Sequence, residues 1–388
     1  MGSIDGIKAL VLHGAKDLRL ETRATPLPKQ GEVQISVKAT GLCGSDLHYY
    51  QYGRNGNYVL RAPVALGHEA SGVVTAVPDG GSDLKVGDRV ALEVGLPCRN
   101  CQVCLTGRYN LCPNLTFRSS AKTFPHLDGT LQTLLTQPAN MCHKLPENVT
   151  FEQGALMEPL AVVLHALNRS QNAGSGANVP LIGSTALVLG AGAVGMLTAA
   201  SLSIAGVSNI VIADIDEPRL KIASQMAGGR FKLKTFLIPK KAPPKDTDEA
   251  FANAESLATE AAASAGLATG FDRVYECTGV PPCVQLGIYA ASPGGVLVLV
   301  GMGNPVQTLP LGAAALREVD IVGVFRYANC YPAAIALFAS GQLDGVAEAL
   351  VTHRVPLEDG ERAFRLAANA AKDGEDEGRV PVKVLITS

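Results

Sequence analysis

Four cysteines lie within one short stretch, CRNCQVCLTGRYNLC, residues 98 to 112. The spacing C-x2-C-x2-C-x7-C lets tight turns point successive sulfurs inward, so that four thiolates can close a tetrahedron around zinc. A cluster of unrelated thiols is one alternative, and an iron-sulfur cluster is another, because Pro113 follows the last cysteine as it does in bacterial ferredoxins. The gap of seven residues and the lack of a second such motif disfavour the iron-sulfur cluster. We therefore expect a zinc-binding lobe over about residues 95–115, with these ligands: Cys98, Cys101, Cys104 and Cys112.

A shell of four thiolates is coordinatively closed, so reaction chemistry has to be sought elsewhere. The segments GLCGSDLHYY, residues 41–50, and LGHEASG, residues 66–72, contain Cys43, His68 and Glu69. A thiolate, an imidazole and a carboxylate make the incomplete set of three ligands that an open catalytic zinc requires. Taken singly, a lone cysteine is usually a core residue and a lone His-Glu pair usually lies on a surface, so the spacing alone does not decide between these interpretations.

A glycine-rich turn offers a third kind of chemistry. The segment LVLGAGAVG predicts a strand, then Gly190-x-Gly192-x-x-Gly195, then a helix, and this arrangement binds the pyrophosphate of a dinucleotide at the helix N-terminus. Asp214 closes the next apolar run, NIVIAD, at the place where a carboxylate accepts hydrogen bonds from a ribose 2′-hydroxyl and repels a 2′-phosphate. This pattern favours NAD over NADP. The alternative is that Asp214 is only a turn residue at the end of a strand.

The elements that must position these residues change character near residue 158. Before it, alternating segments such as GEVQISVKATG predict half-buried strands joined by long loops. After it, β-rich runs alternate with helical segments, which predicts the α/β class: a doubly wound parallel sheet with helices on both faces. The Pro- and Lys-rich segment LIPKKAPPKDTDEAF, within a longer insertion near 235–265, predicts an exposed loop followed by an Ala-rich helix.

Composition excludes several classes of function. The chain has 388 residues, 47% of them hydrophobic, and a formal net charge of -2, so it lacks the basic excess of a nucleic-acid-binding protein. The N-terminal segment has no pattern of a signal peptide or a myristoylation site. The uncharged stretch 170–213 is broken by its glycine cluster, which predicts two short elements and no membrane span. Nine cysteines in this context favour reduced thiols and metal ligands. We expect a cytoplasmic protein.

Taken together, GLCGSDLHYY, GHEASGVV, the four-cysteine segment, MEPLAVVLHA, GAGAVG and GVFRYAN resemble the zinc-dependent medium-chain dehydrogenase family, polyol dehydrogenase type. The resemblance runs in order over nearly the whole chain and weakens at 235–265. It implies a mostly β GroES-like catalytic domain over 1–157 and 328–388, and a Rossmann NAD-binding domain over 158–327. It also implies two zinc ions per subunit, one catalytic and one structural, and a homotetramer.

The activity that the resemblance implies is the NAD-dependent, zinc-assisted oxidation of a polyol, sorbitol or xylitol, to its 2-ketose. An L-arabinitol 4-dehydrogenase or a galactitol-type enzyme is the alternative within the family. A non-catalytic NAD-binding protein with a structural or redox-sensing role is the alternative outside it.

The resemblance also assigns metal ligands. Cys43 and His68 match the two ligands common to the family, and Glu69 matches the carboxylate that polyol dehydrogenases use as the third. Glu158 stands where related alcohol dehydrogenases have a second thiolate, and it is the alternative third ligand, directly or through the bound water. Asp46 matches a carboxylate that orients the ligating imidazole.

The remaining roles concern proton transfer, substrate and cofactor. Ser45 and His48 match the family's proton relay; Glu158 with its water is the competing route, and His48 as a bystander is the alternative. The positions that match polyol contacts are Tyr49, Glu158, Arg326 and Tyr327. The positions that match cofactor contacts are Gly190, Gly192, Val194, Gly195, Asp214, Arg219, Gly301, Val324 and Phe325.

Overall fold

The computed structural model describes residues 6–78, 82–172, 179–369, 374–376 and 378–388. The chain divides into two compact units. Unit 1 comprises Met1–Glu158 and Tyr331–Ser388, and unit 2 comprises Pro159–Cys330. The resemblance predicts the changes of domain at 157/158 and 327/328.

The strands in the described part of the chain are β1 Ile7–Gly14, β2 Asp17–Arg23, β3 Glu32–Gly41, β4 Arg54–Asn55, β5 Tyr58–Val59, β6 Val64–Ala65, β7 Glu69–Ala76, β8 Arg89–Leu92, β9 Gly95–Leu96, β10 Thr116–Phe117, β11 Leu134–Pro138, β12 Cys142–Lys144, β13 Thr185–Leu189, β14 Asn209–Asp214, β15 Leu233–Leu237, β16 Phe271–Glu276, β17 Ala291–Leu299, β18 Asp320–Gly323, β19 Val351–Pro356 and β20 Lys383–Thr387.

The α-helices are α1 Gly44–Tyr52, α2 Gln102–Leu105, α3 Phe151–Ala155, α4 Met157–Gln171, α5 Ala193–Ile204, α6 Glu217–Ala227, α7 Thr247–Ala265, α8 Pro281–Ala290, α9 Leu311–Ala315, α10 Tyr331–Ala339, α11 Val346–Leu350 and α12 Gly360–Ala367. In the residues described, none of these helices combines the length and the apolar character needed to cross a membrane.

Unit 1 is built around a seven-stranded sheet with the order β12-β8-β7-β3-β20-β19, in which β11 also pairs with β3. The alternation predicted for β3 places Val33, Ile35 and Val37 in a buried cluster. At the end of β3, Gly41 pairs with Glu69 at the start of β7 on one side and with Leu385 of β20 on the other. Three chain segments distant in sequence therefore meet at this point of the sheet.

Unit 2 contains a six-stranded sheet with the order β15-β14-β13-β16-β17-β18, and all its strand pairs are parallel. This confirms the predicted doubly wound fold class. Because the carboxyl ends of parallel strands share one edge, the turn after β13, Asp214 at the end of β14 and Glu276 at the end of β16 lie along the same edge.

The predicted exposed loop between β15 and α7 is confirmed, since residues 239–248 are exposed. Helix α7 begins where Asp246 accepts a hydrogen bond from the backbone N–H of Glu249 at 2.9 Å, as a capping residue does. The helix that follows is more than a surface addition. It buries an alanine face in the core of unit 2: Ala254, Ala258, Ala261, Ala262 and Ala265.

Candidate metal centres and dinucleotide site

The four-cysteine lobe consists of Cys98, Cys101, Cys104 and Cys112. Cys101 precedes the short helix α2, and Cys112 follows the 3-10 turn Tyr109–Leu111. Four of the Sγ–Sγ distances lie between 3.4 and 4.0 Å. One zinc with Zn–S bonds of about 2.3 Å in a tetrahedron requires sulfurs about 3.8 Å apart. The four thiolates thus fit a single ion, whereas a cluster of several irons would separate them further.

A buried carboxylate ties this lobe to the main sheet of unit 1. Glu93 follows β8, and Tyr109 inside the lobe donates its hydroxyl to Glu93 Oε1 at 2.5 Å. His143 of β12 lies with Nε2 at 2.7 Å from Glu93 Oε2, and its ring stacks on Tyr331. These contacts fix the position of the lobe and leave its sulfurs to the metal.

The Cys43 site consists of Cys43, His68 and Glu69. Cys43 is the N-cap residue of α1, His68 precedes β7, and Glu69 opens β7. One ligand atom from each lies within 4.8 Å of the others, which fits one metal ion. Gly41 makes room for this arrangement, because a Cβ there would lie 2.2 Å from Glu69 Oε2.

Asp46 holds two of these residues in place. Its Oδ2 accepts a hydrogen bond from the backbone N–H of Cys43 at 3.2 Å, and its Oδ1 lies 3.3 Å from His68 Nδ1. His68 Nε2, on the other side of the ring, lies 3.4 Å from Ser45 Oγ. The imidazole is therefore held on its Nδ1 side by a carboxylate, which leaves Nε2 as the nitrogen suited to a metal.

Charge dominates this buried site. Burial by itself lowers the pKa of His68, but the neighbouring Asp46 carboxylate and Cys43 thiolate outweigh burial and raise this pKa well above its ordinary value. Burial likewise raises the pKa of Asp46, but His68 outweighs it and the pKa is lowered. Zinc would bind the neutral imidazole, so metal binding would be coupled to the loss of any proton that His68 carries on the ligating nitrogen.

Lys383 is a residue of this site that sequence reasoning missed. Its ammonium donates to both oxygens of Glu69, at 2.9 and 2.7 Å, and to the backbone carbonyl of Leu42 at 3.0 Å. Burial lowers the pKa of Lys383, but the charges of Glu69, Cys43 and Glu158 outweigh it and raise this pKa. Glu69 thus has a buried cation beside it, and because each carboxylate oxygen has two lone pairs, it can still offer one to zinc.

Helix α1 carries the other predicted residues of this region. His48 lies with Nδ1 at 3.2 Å from Asn55 Oδ1. Tyr49 is 2% exposed, and its hydroxyl oxygen accepts a hydrogen bond from the backbone N–H of Ala121 at 2.9 Å. The structure places Ser45 beside His68 and places Tyr49 in the core next to the site.

The glycine-rich turn of unit 2 fits a dinucleotide. Gly190 has φ 104°, which favours glycine, and a Cβ on Gly195 would lie 1.8 Å from the carbonyl oxygen of Gly190. Gly192 is the N-cap residue of α5 and has no side chain to cap the helix, and a Cβ there would meet nothing within 4 Å. The start of α5 therefore has open space beside Gly192, as the approach of a pyrophosphate requires.

The neighbouring strand ends support this turn. Asp214 accepts hydrogen bonds from the backbone N–H groups of Ala191 at 2.6 Å and Asp216 at 3.0 Å, which places its carboxylate directly beside the turn. Asp216 caps α6 by accepting from the N–H of Arg219 at 3.2 Å. Val194 lies in the first turn of α5.

The other predicted cofactor and substrate positions follow β17 and β18. Gly301 donates its N–H to the carbonyl of Glu276 at 2.8 Å, and Val324 donates to the carbonyl of Leu299 at 3.1 Å. Arg326 adopts φ 54°, with its guanidinium carbon 4.9 Å from the centre of the Phe325 ring. These residues and Tyr327 belong to unit 2, whereas the metal ligands belong to unit 1.

Comparisons with known proteins decide the family. Residues 29–147 match the model of the alcohol dehydrogenase GroES-like domain, and residues 193–340 match that of the zinc-binding dehydrogenase. Sorbitol dehydrogenase of Gallus gallus is 43% identical over 356 residues, 92% of this chain and 92% of that protein. Sorbitol dehydrogenase of Homo sapiens is 42% identical over 92% of this chain and 91% of that protein. The chain belongs to the zinc-dependent medium-chain dehydrogenase family.

Solved structures agree with this membership. L-idonate 5-dehydrogenase of Escherichia coli has a TM-score of 0.80 at 27% identity, with 98% of each chain covered. 2R,3R-butanediol dehydrogenase of Bacillus subtilis has a TM-score of 0.78 at 28% identity, covering 98% of this chain and 99% of that one. The family, the fold class and the dehydrogenase activity predicted for this chain are thereby confirmed.

For this dehydrogenase all the predicted metal ligands except Glu158 fall into two compact groups, the four-cysteine lobe and the Cys43 site. Glu158, which ends the first segment of unit 1, is not part of either group but is close enough to Lys383 to influence its pKa. Glu93 and Lys383 support these groups, and no pattern in the sequence pointed to either. In hindsight, the lysine that opens the otherwise apolar strand KVLIT is unusual, because a lysine that becomes fully buried is seldom without a partner.

Proposed function

We propose that this dehydrogenase oxidises a polyol, sorbitol or xylitol, to the corresponding 2-ketose with NAD as the hydride acceptor. The relatives named above, at 42 and 43% identity over most of the chain, are sorbitol dehydrogenases. The observation that carries the proposal is the convergence of Cys43, His68 and Glu69, whose ligand atoms lie within 4.8 Å of one another beside a buried lysine. This set leaves a coordination position for substrate, which the four-cysteine lobe does not.

Zinc at the Cys43 site supplies a Lewis acid that lowers the pKa of an alcohol hydroxyl. The protein's part is to hold the ligands. Cys43 and one carboxylate offset the charge of the ion, Asp46 orients His68, and Lys383 holds Glu69 in place through two hydrogen bonds. Glu69 is the third ligand that we propose, and Glu158 is the alternative.

Proton transfer falls to helix α1. Ser45 and His48 are three positions apart on this helix and so share a face. Ser45 Oγ borders the nitrogen of His68 that faces the metal position. His48 Nδ1 contacts Asn55 Oδ1, so Nε2 is the ring nitrogen that this contact leaves for proton transfer. We therefore propose that a proton passes from the substrate side through Ser45 to His48, with Glu158 and a water as the competing route.

NAD supplies the hydride acceptor. The protein binds it at the edge of the parallel sheet in unit 2. The glycine-rich turn from Gly190 to Gly195 and the start of α5 receive the pyrophosphate, and Asp214 receives the adenosine ribose. Val194 is proposed to pack beneath the pyrophosphate turn and Arg219 to lie over the adenine. The positions proposed for the nicotinamide half are Gly301, Val324 and Phe325.

The hydroxyl groups of the polyol require polar partners. We propose Glu158, Arg326 and Tyr327 for these contacts. Tyr49 stays a prediction as a substrate residue, since its hydroxyl oxygen accepts a hydrogen bond from the backbone of Ala121. A homotetramer and a cytoplasmic location also stay predictions.

The test compares kcat/KM for sorbitol, xylitol, L-arabinitol and galactitol with NAD, followed through NADH absorbance, with NADP in parallel and the Cys43→Ala variant as the control. We expect sorbitol or xylitol to be preferred and NAD to exceed NADP. A higher kcat/KM for L-arabinitol or galactitol would show that this polyol, and not sorbitol or xylitol, is the preferred substrate. The absence of turnover on any polyol by zinc-loaded protein would overturn the enzymatic function.

A further inference from the structure

The segment that follows the four-cysteine lobe lies against the Cys43 site. The lobe ends at Cys112, whose carbonyl accepts the N–H of Leu115 at 3.0 Å, and β10 begins directly afterwards. The ring of Phe117 lies 5.6 Å from the ring of His68. Two residues later, Ser119 donates its hydroxyl to Asp46 Oδ1 at 2.7 Å. One short segment therefore contacts both a candidate ligand and the carboxylate that orients it.

Ser119 has an unusual backbone that the surrounding structure holds in place. Its φ is 62°, in the left-handed region that a serine adopts only at a cost in free energy. The N–H of Ser119 donates to the carbonyl of Leu127 at 3.0 Å. The preceding residue, Arg118, is buried and donates to Gln137 Oε1 at 2.8 Å and to the carbonyl of Asp128 at 2.7 Å. A strained conformation fixed from both sides indicates that the direction of the Ser119 side chain matters.

The hydroxyl of Ser119 makes the shortest of the contacts to Asp46. The backbone N–H of Gly67 donates to Asp46 Oδ1 at 3.1 Å and to Ser119 Oγ at 3.0 Å, and His68 Nδ1 lies 3.3 Å from the same carboxylate oxygen. Asp46 is fully buried, so water is not at hand to replace a lost donor. The same carboxylate also receives the N–H of Cys43 through Oδ2. Any rotation of Asp46 therefore shifts both Cys43 and His68.

We propose that Ser119 is a positioning residue of the catalytic metal site: its hydroxyl fixes the orientation of Asp46 and, through it, the imidazole of His68 and the backbone of Cys43. By this contact the segment anchored at the closed lobe sets the geometry of the open site. The inference rests on the proposed role of Cys43 and His68 as zinc ligands.

The test uses two variants that lack the hydroxyl and one neighbour as the control. Ser119→Ala removes the hydroxyl and keeps the backbone strain, whereas Ser119→Gly removes both. Ser120→Ala is the matched control, because Ser120 is also buried and its hydroxyl accepts from the backbone N–H of Lys122 at 3.3 Å. For each protein, competition with a chromophoric chelator measures the affinity of the more weakly bound zinc, which is the ion expected at the Cys43 site. The visible spectrum is then recorded with cobalt(II) in the Cys43 site.

We expect the dissociation constant of the weaker zinc to rise about 10-fold in both Ser119 variants and to stay within about twofold of wild type in Ser120→Ala. The cobalt bands should shift in both Ser119 variants alike. Wild-type affinity and spectrum in folded Ser119→Ala would overturn the proposal. So would an effect in Ser119→Ala that Ser119→Gly abolishes, since backbone strain would then be the cause.

A separate measurement distinguishes a wrong assignment of the metal ligands from a wrong role for Ser119. Cys43→Ala should reduce the zinc content from two ions per chain to one. If it retains both ions, the proposed ligands are wrong, and the role proposed for Ser119 is wrong as well. If it loses one ion while Ser119→Ala binds zinc as wild type does, the metal site stands and only the role of Ser119 is overturned.

Discussion

The four-cysteine lobe and the Cys43 site both offer thiolate to a metal, yet they are assembled in different ways. The lobe takes all its ligands from one stretch of fifteen residues, 98–112. The candidate ligands of the Cys43 site come from the β3–α1 junction and from the start of β7 with the residue before it. Glu69 also contacts Lys383, which lies 314 positions away in the sequence. A closed site can thus be local, whereas an open site needs distant segments to hold its incomplete set of ligands.

The two regions also differ in charge. The lobe presents four thiolates to one ion and requires no other group to complete the shell. The Cys43 site has one thiolate, one imidazole and a carboxylate that already accepts two hydrogen bonds from Lys383. The carboxylate is a harder ligand than a second thiolate and donates less electron density, which leaves the ion a stronger Lewis acid. The first site suits stability and the second suits chemistry.

Replacement of Cys43 should give the largest effect. Cys43→Ala removes a ligand of the open site, so we expect kcat/KM to fall about 1,000-fold or more while the protein stays folded. The measurement is steady-state NADH production together with circular dichroism. Cys283→Ala, which removes a thiol on α8 outside both metal groups, is the control. A loss of less than about 10-fold would contradict a catalytic role for Cys43.

Lys383→Met tests whether the ion pair between Lys383 and Glu69 stabilises the Cys43 site. The variant leaves the buried Glu69 carboxylate without its cation, so we expect a loss of about 4 kcal/mol in the free energy of unfolding. Urea unfolding at neutral pH measures it, on protein freed of the ion at the Cys43 site, because a zinc bound to Glu69 would itself act as the missing cation. The double variant Lys383→Met, Glu69→Gln removes both charges and should recover much of the loss. If the single and double variants are equally unstable, the ion pair is not the cause.

Cys101→Ser tests the closed site. Loss of one thiolate should release the structural zinc and lower the free energy of unfolding by about 3 kcal/mol, with kcat retained in the fraction that stays folded. Zinc analysis and thermal unfolding check both statements. If Cys43→Ala and Cys101→Ser both fold and only Cys101→Ser stops catalysis, the two sites are reversed.

The same contrast explains what could be predicted from the sequence. The four cysteines, the glycine-rich turn and Asp214 are patterns of neighbouring residues, because short turns and strand ends place them, and these patterns predicted a zinc lobe and a Rossmann fold. Cys43, His68 and Glu69 have no such spacing, and resemblance to the dehydrogenase family was needed to group them. Lys383, Ser119 and Glu93 were missed because each acts through a partner that only the folded sheet brings near.

Removal of the metal ions tests the difference between the closed lobe and the open Cys43 site directly. It is also the experiment with the smallest expected effect. A chelator first has to occupy a coordination position before it can extract the ion. The Cys43 site offers such a position and the four-thiolate shell does not, so the open site should release its zinc about 10-fold faster or more. Timed dialysis against a chelator, with zinc content and turnover followed together, should show activity lost with the first ion while the unfolding temperature changes little. Cys43→Ala, which lacks the exchangeable ion, should show only the slow phase. Equal rates for both ions would mean that the lobe is as accessible as the open site. Closure by four thiolates would then not explain why one site holds structure while the other carries the reaction.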